Sequence, residues 1–250
     1  MKTRRGSRPK AGARRAPRRA GRKRGGRHGR LRRGSETDLT RFYTLSEAGA
    51  RNAATALSQI LGRPLRLSVP WARVLPLEKV KEMAGGPSRV VCALSLKVYG
   101  EARGSLLVIF GREQLPILLD MVVPAGWAAR SGSGDGQGLT AMERSALMEI
   151  GNILACAYLN ALSHLLGVSL LPSIPGLAVD MLGAVTDHLL IELAAVSDSA
   201  LVLASQVVEP ASGLKGAIFF LPHPSSLGVL GRARVRPGPS GGAVSPRSGR

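Results

Sequence analysis

The 250-residue chain carries 35 Lys and Arg against 16 Asp and Glu, a formal charge of +19. The excess sits at the ends. Residues 1–34 hold 16 of the bases and residues 232–250 hold five, neither with any acid, so residues 35–231 keep 14 bases against 16 acids and a net charge of −2. The body is therefore near neutral and long enough for a substantial core. Two cysteines, Cys92 and Cys156, exclude a disulfide scaffold and a four-cysteine zinc site. The four histidines show no ligand spacing, so no metal site is expected. A reduced, cytoplasmic setting fits this cysteine usage. No apolar run is read as reaching about 18 residues, so no membrane span is expected. The Arg-rich start has no apolar segment behind it and does not read as a secretory signal.

In chain order, residues 1–34 come first. Leu31 is their one large aliphatic residue after Met1, so disorder is expected. This stretch reads as an arm for nucleic acid or another anionic surface, as a solvated tail, or as the product of a start codon set too far upstream. It holds no aromatic residue for base stacking, which argues against nucleic acid as the partner. The tail at 232–250 reads the same way.

An internal repeat follows. Residues 56–70, ALSQILGRPLRLSVP, align with 161–175, ALSHLLGVSLLPSIP, with eight identities in fifteen positions. Each copy closes a helical pattern. In the second, Leu147, Ile150, Leu154, Ala157 and Leu165 keep helical spacing. Thr140 with Glu143 forms a capping-box signature and Gly167 a stop, which predicts a helix over about 141–166. Strands are expected at Arg89–Leu96 and Gly104–Phe110, with Gly100 at the turn, and at Leu189–Ala195, Ala200–Val208 and Gly216–Leu221. Short helices are expected at Arg112–Met121 and Pro224–Leu230. Residues 125–139 read as a flexible join. The expected fold is a single α+β domain at 35–231, with pseudo-repeats at about 39–122 and 139–231. Pseudo-twofold symmetry places two long helices on one continuous, mainly antiparallel sheet.

Ser145, Glu149, Asn152 and Cys156 fall at i, i+4, i+7 and i+11, one stripe along the second long helix. A solvated face is the plain reading. The chemistry allows more. An exposed carboxylate can pair with a Lys in another protein's active site. A carboxamide one turn away can donate to and accept from a water, fixing it for in-line attack on phosphorus. Phosphoryl transfer needs mainly positioning and charge stabilisation, and no nucleophile from this chain.

The pattern S-x-x-x-E-x-x-N, then 22 residues and Pro, is met by Ser145, Glu149, Asn152 and Pro175. It resembles the signature of the CheC-type chemotaxis phosphatases. ERSALMEIGNILACAYLNALSHLLG, PGLAVDM and the earlier NAATALSQILGRPLRLSVP also look like that family, and the resemblance spans roughly residues 39–231. It implies a CheC-like fold and hydrolysis of the aspartyl phosphate of the response regulator CheY. It further implies the deamidase CheD as a binding partner. By the same resemblance, Glu149 contacts the receiver's active-site Lys and Asn152 orients the water. No cofactor is implied in this chain; Mg²⁺ belongs to the receiver.

The first half departs from the pattern. The spacing back from Pro70 puts Thr44 where Glu is expected and Glu47 where Asn is expected. Thr44 cannot form the ion pair, and a carboxylate cannot donate to water, so this site reads as degenerate. Pro175 is expected to shape a loop, and Ser145 to support the motif or simply face solvent. Cys156 reads as a half-buried filler. Asp180 reads as a helix N-cap, and by resemblance as a docking position for CheD. The absence of a further β-rich domain favours a stand-alone CheC over a flagellar switch component. Two other readings stand beside the enzyme: a non-catalytic adaptor for CheD or a receiver, and nucleic-acid binding through the tails.

Overall fold

The computed structural model of the protein describes residues 36–122 and 138–232. The expected disorder of residues 1–34 and of the tail beyond 232 falls outside them, as does nearly all of the join at 125–139.

Two long helices of 26 residues each, α1 (Glu36–Leu61) and α4 (Ala141–Leu166), stand 105 positions apart. Each ends at a left-handed glycine, Gly62 with φ 62° and Gly167 with φ 63°, a conformation that glycine adopts without the Cβ penalty. The expected cap at the start of α4 is present. The Thr140 hydroxyl accepts the Glu143 N–H, and Glu143 Oε2 accepts the Thr140 N–H at 2.7 Å.

Seven strands form one antiparallel sheet: β1 (Arg66–Pro76), β2 (Val90–Gly100), β3 (Gly104–Gly111), β4 (Leu170–Pro172), β5 (Gly176–Met181), β6 (Ser199–Glu209) and β7 (Leu214–Pro222). The order is β1-β6-β7-β3-β2-β4, with β5 also pairing β2. The hairpins β2–β3 and β6–β7 meet at the centre through β3 and β7. The outer strands are exchanged: β1 of the first half pairs β6 of the second, and β4 and β5 of the second pair β2 of the first. The two halves thus share one sheet about a central pseudo-twofold axis. Each outer strand is interrupted at the matching place. β1 shifts register between Ser68 and Trp71, and the second half breaks between Pro172 and Gly176.

Both faces of the sheet are buried, so the central strands read as continuous apolar runs with alternating destinations. Leu94, Leu96, Leu106, Phe110, Ile218 and Phe220 point to the layer of α1 and α4. Val91, Ala93, Leu107, Ile109, Val202 and Phe219 point to the other face, which is covered by α2 (Leu77–Val80) and α5 (Leu182–Ala194). A 3-10 turn and a short helix close each half, Arg112–Gln114 with α3 (Leu115–Val122) and Pro224–Ser226 with α6 (Leu227–Arg232).

Two expectations need correction. Leu189–Ala195 is not a strand; most of it is the C-terminal part of α5. Leu182, Thr186, Leu189, Leu190 and Leu193 are its buried residues, a stripe of 3–4 residue spacing that the short apolar run conceals. Asp180 does not cap that helix. It lies in β5 opposite Val91, and the N-cap is Met181, without a side-chain cap bond. On membrane spans, α4 is long and apolar enough to cross a bilayer by length and composition, with a mean hydropathy of 1.3 over its best window. Half of that window is buried inside this fold.

Candidate functional site

The site is built on α4, and packing sets the helix's depth and rotation. Gly151 allows closest approach to β2, because a Cβ there would overlap the Leu94 side chain. Two turns on, Tyr158 is fully buried and its hydroxyl accepts from the Ser205 hydroxyl of β6 at 3.2 Å. Burial pushes the Tyr158 phenol up to about 12, so it stays neutral. With Leu147, Ile150, Leu154 and Leu162 also buried, α4 is held against the sheet along its length.

The opposite side of α4 carries the stripe. Ser145 and Glu149 are exposed, and Asn152 and Cys156 are half-buried. Among the described residues, no ion pair engages the Glu149 carboxylate, so it is available to a cation from outside. The Asn152 carboxamide is held on one side: the Cys156 thiol donates to Asn152 Oδ1 at 3.6 Å. Burial, and secondarily the Glu149 charge, raise the Cys156 thiol above its usual value, so it keeps its proton and remains a donor. Cys92 lies buried in β2, where burial pushes its thiol up to about 12, and takes no part in this face.

The sequence singled out Ser145, Glu149 and Asn152, and the structure brings them onto one accessible helix face. It places Pro175 in the segment between β4 and β5, buried, beside the edge of the sheet. There the chain leaves the ladder. The Ser173 N–H donates to Lys97 O at 2.8 Å, and Ser173 Oγ accepts the Lys97 N–H at 3.0 Å. Pro175 therefore sits where the edge strand is interrupted. Asp180 is exposed, and its Oδ1 accepts the Met181 N–H at 2.7 Å.

Sequence reasoning missed two features. The first is Gly151, which sits immediately before Asn152 and sets how close the site lies to the sheet. The second is the thiol contact. The i, i+4 spacing of Asn152 and Cys156 was the signal for it.

The first half has the same frame with other chemistry. Thr44 is exposed and its hydroxyl donates to Thr40 O at 3.1 Å, a bond back into its own helix. Glu47 pairs with Arg51 at 3.1 Å, one turn on. Pro70 lies in β1 within the register shift. At the two positions that match Glu149 and Asn152 this half therefore has a hydroxyl bonded into its own helix and a carboxylate paired with Arg51.

Pocket geometry points elsewhere. One cavity of about 410 Å³ opens on the other face of the sheet, between Trp71, Met83, Ile109, Phe219 and the Arg89–Glu113 ion pair. The stripe on α4 does not line it. A convex site of this kind suits a macromolecular partner that brings its own cleft. Among the described residues there is no cluster of metal-ligating side chains.

Residues 142–177 match the model of the CheC-like family. Over 197 residues the chain is 32% identical to the protein named CheY-P phosphatase CheC of Bacillus subtilis, covering 78% of this chain and 92% of the relative. Among solved structures it is similar to FliY of Thermotoga maritima, with TM-score 0.57, 18% identity, and 79% and 95% of the two chains covered. The middle domain of FliM from H. pylori gives TM-score 0.55 at 11% identity, over 79% of this chain and 98% of that one. These two structural likenesses establish a shared fold, and the sequence relationship establishes the family: the chain belongs to the CheC-like family.

Proposed function

We propose that this protein hydrolyses the aspartyl phosphate of a CheY-type response regulator, using Glu149 and Asn152 of α4. The observation that carries the reading is the pairing of an uncommitted, exposed Glu149 with Asn152 one turn later on a helix locked to the sheet. The B. subtilis relative named as a CheY-P phosphatase supports it.

On this reading the receiver supplies the phosphoryl group, a Lys and any divalent ion. The Glu149 carboxylate docks against that Lys. Asn152 holds a water: Oδ1 has a second lone pair left to accept from it, and Nδ2 donates to it. The water oxygen attacks phosphorus in line, the phosphorus–oxygen bond to the receiver's aspartate breaks, and inorganic phosphate and a free carboxylate result. The contribution of this chain is positioning and electrostatics. One site works, in the second half; Thr44 and Glu47 do not serve a second one.

A CheD-type deamidase is the second partner inferred. The exposure of Asp180 beside the half-exposed Met181 at the start of α5 favours that edge for docking. A reducing cytoplasmic setting fits two free cysteines. The test is the lifetime of the phosphoryl group on a CheY-type receiver, measured with and without this protein. The expected result is a shortened lifetime that Glu149→Ala and Asn152→Ala lengthen again. An unchanged lifetime would leave the adaptor reading in its place.

A further inference from the structure

We propose that Cys156 is a positioning residue for Asn152, its thiol holding Oδ1 so that the carboxamide faces the attacking water in a fixed orientation. The inference rests on the hydrolytic reading above and adds a residue to it. Three observations carry it. The thiol lies 3.6 Å from Asn152 Oδ1, one turn on along the same helix. Both side chains are half-buried, so the pair is partly shielded from competing water. The third is the other half of the molecule. Cys156 stands 105 positions after Arg51, and Asn152 the same distance after Glu47. There too the later side chain reaches the earlier one, as the Arg51–Glu47 ion pair at 3.1 Å. The backbone thus delivers the side chain one turn on to the water-holding position in both halves, and only its chemistry differs. Arg51 locks a carboxylate, whereas Cys156 steadies an amide without neutralising anything or occupying Nδ2.

A free Asn side chain samples several orientations about its second torsion, of which few present donor and acceptor to one water. A donor on Oδ1 fixes which end of the amide points where, and the turnover step gains from that preorganisation. The thiol remains protonated because burial and Glu149 oppose its ionisation.

The test measures steady-state hydrolysis on a CheY-type receiver charged with a small-molecule phosphodonor. Cys156→Ala is expected to lower kcat by about 3- to 10-fold, the range for one lost neutral hydrogen bond, with KM unchanged. Cys156→Ser, which keeps a donor, is expected to stay within about twofold of the parent. If the Ala variant does not fold, as judged by its thermal transition, Cys156→Val provides a donor-less side chain of similar bulk with the same expectation. In an Asn152→Ala background, Cys156→Ala is expected to add nothing, because the two act as a unit. Full kcat in the donor-less variant, a Ser variant as slow as Ala, or a loss confined to KM would each overturn the positioning role. If Asn152→Ala is itself fully active, the hydrolytic reading fails instead, which separates the two failures.

Discussion

Gly151 and Leu94 are in closest approach: the space a Cβ would need at Gly151 is occupied by the Leu94 side chain from β2. The residue after Gly151 is Asn152, so this contact sets the height of the site helix above the sheet. Gly151→Ala is expected to push α4 outward or force Leu94 from its rotamer, at a cost of about 1–3 kcal/mol. A lower thermal midpoint, partly recovered by adding Leu94→Val, would be the signature in a melting experiment. An unchanged midpoint would mean that the helix is not seated as closely as described.

Glu149 and Asn152 are expected to fail differently. Glu149→Ala removes a docking charge, so KM for the phosphorylated receiver should rise along with the loss in kcat. For the parent protein, the Glu149 contribution should shrink as salt screens the approach of the two proteins. Titrating ionic strength in parallel for parent and variant checks this. A pure kcat defect with no salt response would remove the docking role.

The first half should be dispensable for turnover. Thr44 is bonded into its own helix and Glu47 is committed to Arg51, so neither Thr44→Ala nor Glu47→Ala is expected to change kcat by more than about twofold. The Glu47–Arg51 pair is exposed, and such pairs contribute about 0–1 kcal/mol, so stability should barely move as well. Loss of activity in Glu47→Ala would show that the wrong half has been assigned the work.

Acid should loosen the β6–β7 hairpin. Glu209 accepts the N–H groups of Ser212 at 2.7 Å and Ala211 at 3.1 Å across the turn. The Ser212 hydroxyl and then these N–H groups hold its carboxyl below the usual carboxylate range. A lowered folded-state value means stability that is fully present above the ordinary carboxylate pKa and lost as pH falls through the folded one. The thermal midpoint should therefore fall on acidification below about pH 4, and Glu209→Gln should flatten that part of the profile. A variant with the same acid limb as the parent would place the titration elsewhere.

How much of this could be read from the chain alone differs by feature. α4 was legible to the residue, because Thr140, Glu143 and Gly167 mark both ends with local chemistry. The stripe of Ser145, Glu149 and Asn152 was legible because helical spacing fixes which side chains share a face. α5 was not: Leu-Leu-Ile-Glu-Leu-Ala-Ala-Val is apolar without a visible period, and only the sheet beneath it decides which residues are buried. The exchange of β1 and β5 between the halves was also hidden, since strand pairing between residues so far apart in the chain, Val90 with Met181 and Arg66 with Val208, leaves no local trace. Cys156 was read by size and polarity as a filler, and the half-buried position agrees. Its donor role depends on a side-chain direction that spacing permits but does not state.

The most direct measurement of the central claim is the hydrolysis rate of a phosphorylated CheY-type receiver with Asn152→Asp beside Asn152→Ala and the parent. Asp nearly preserves the size of Asn while replacing the donor amide with a charge that repels the phosphoryl group. Loss of a positioning group in a catalytic site commonly costs on the order of 10²-fold, about 2.7 kcal/mol. Both variants should fold as the parent does, since the side chain is only half-buried, and Asp should be at least as inactive as Ala. Retained activity in Asn152→Asp would contradict the account, because a carboxylate there cannot donate to the water that the carboxamide is said to hold.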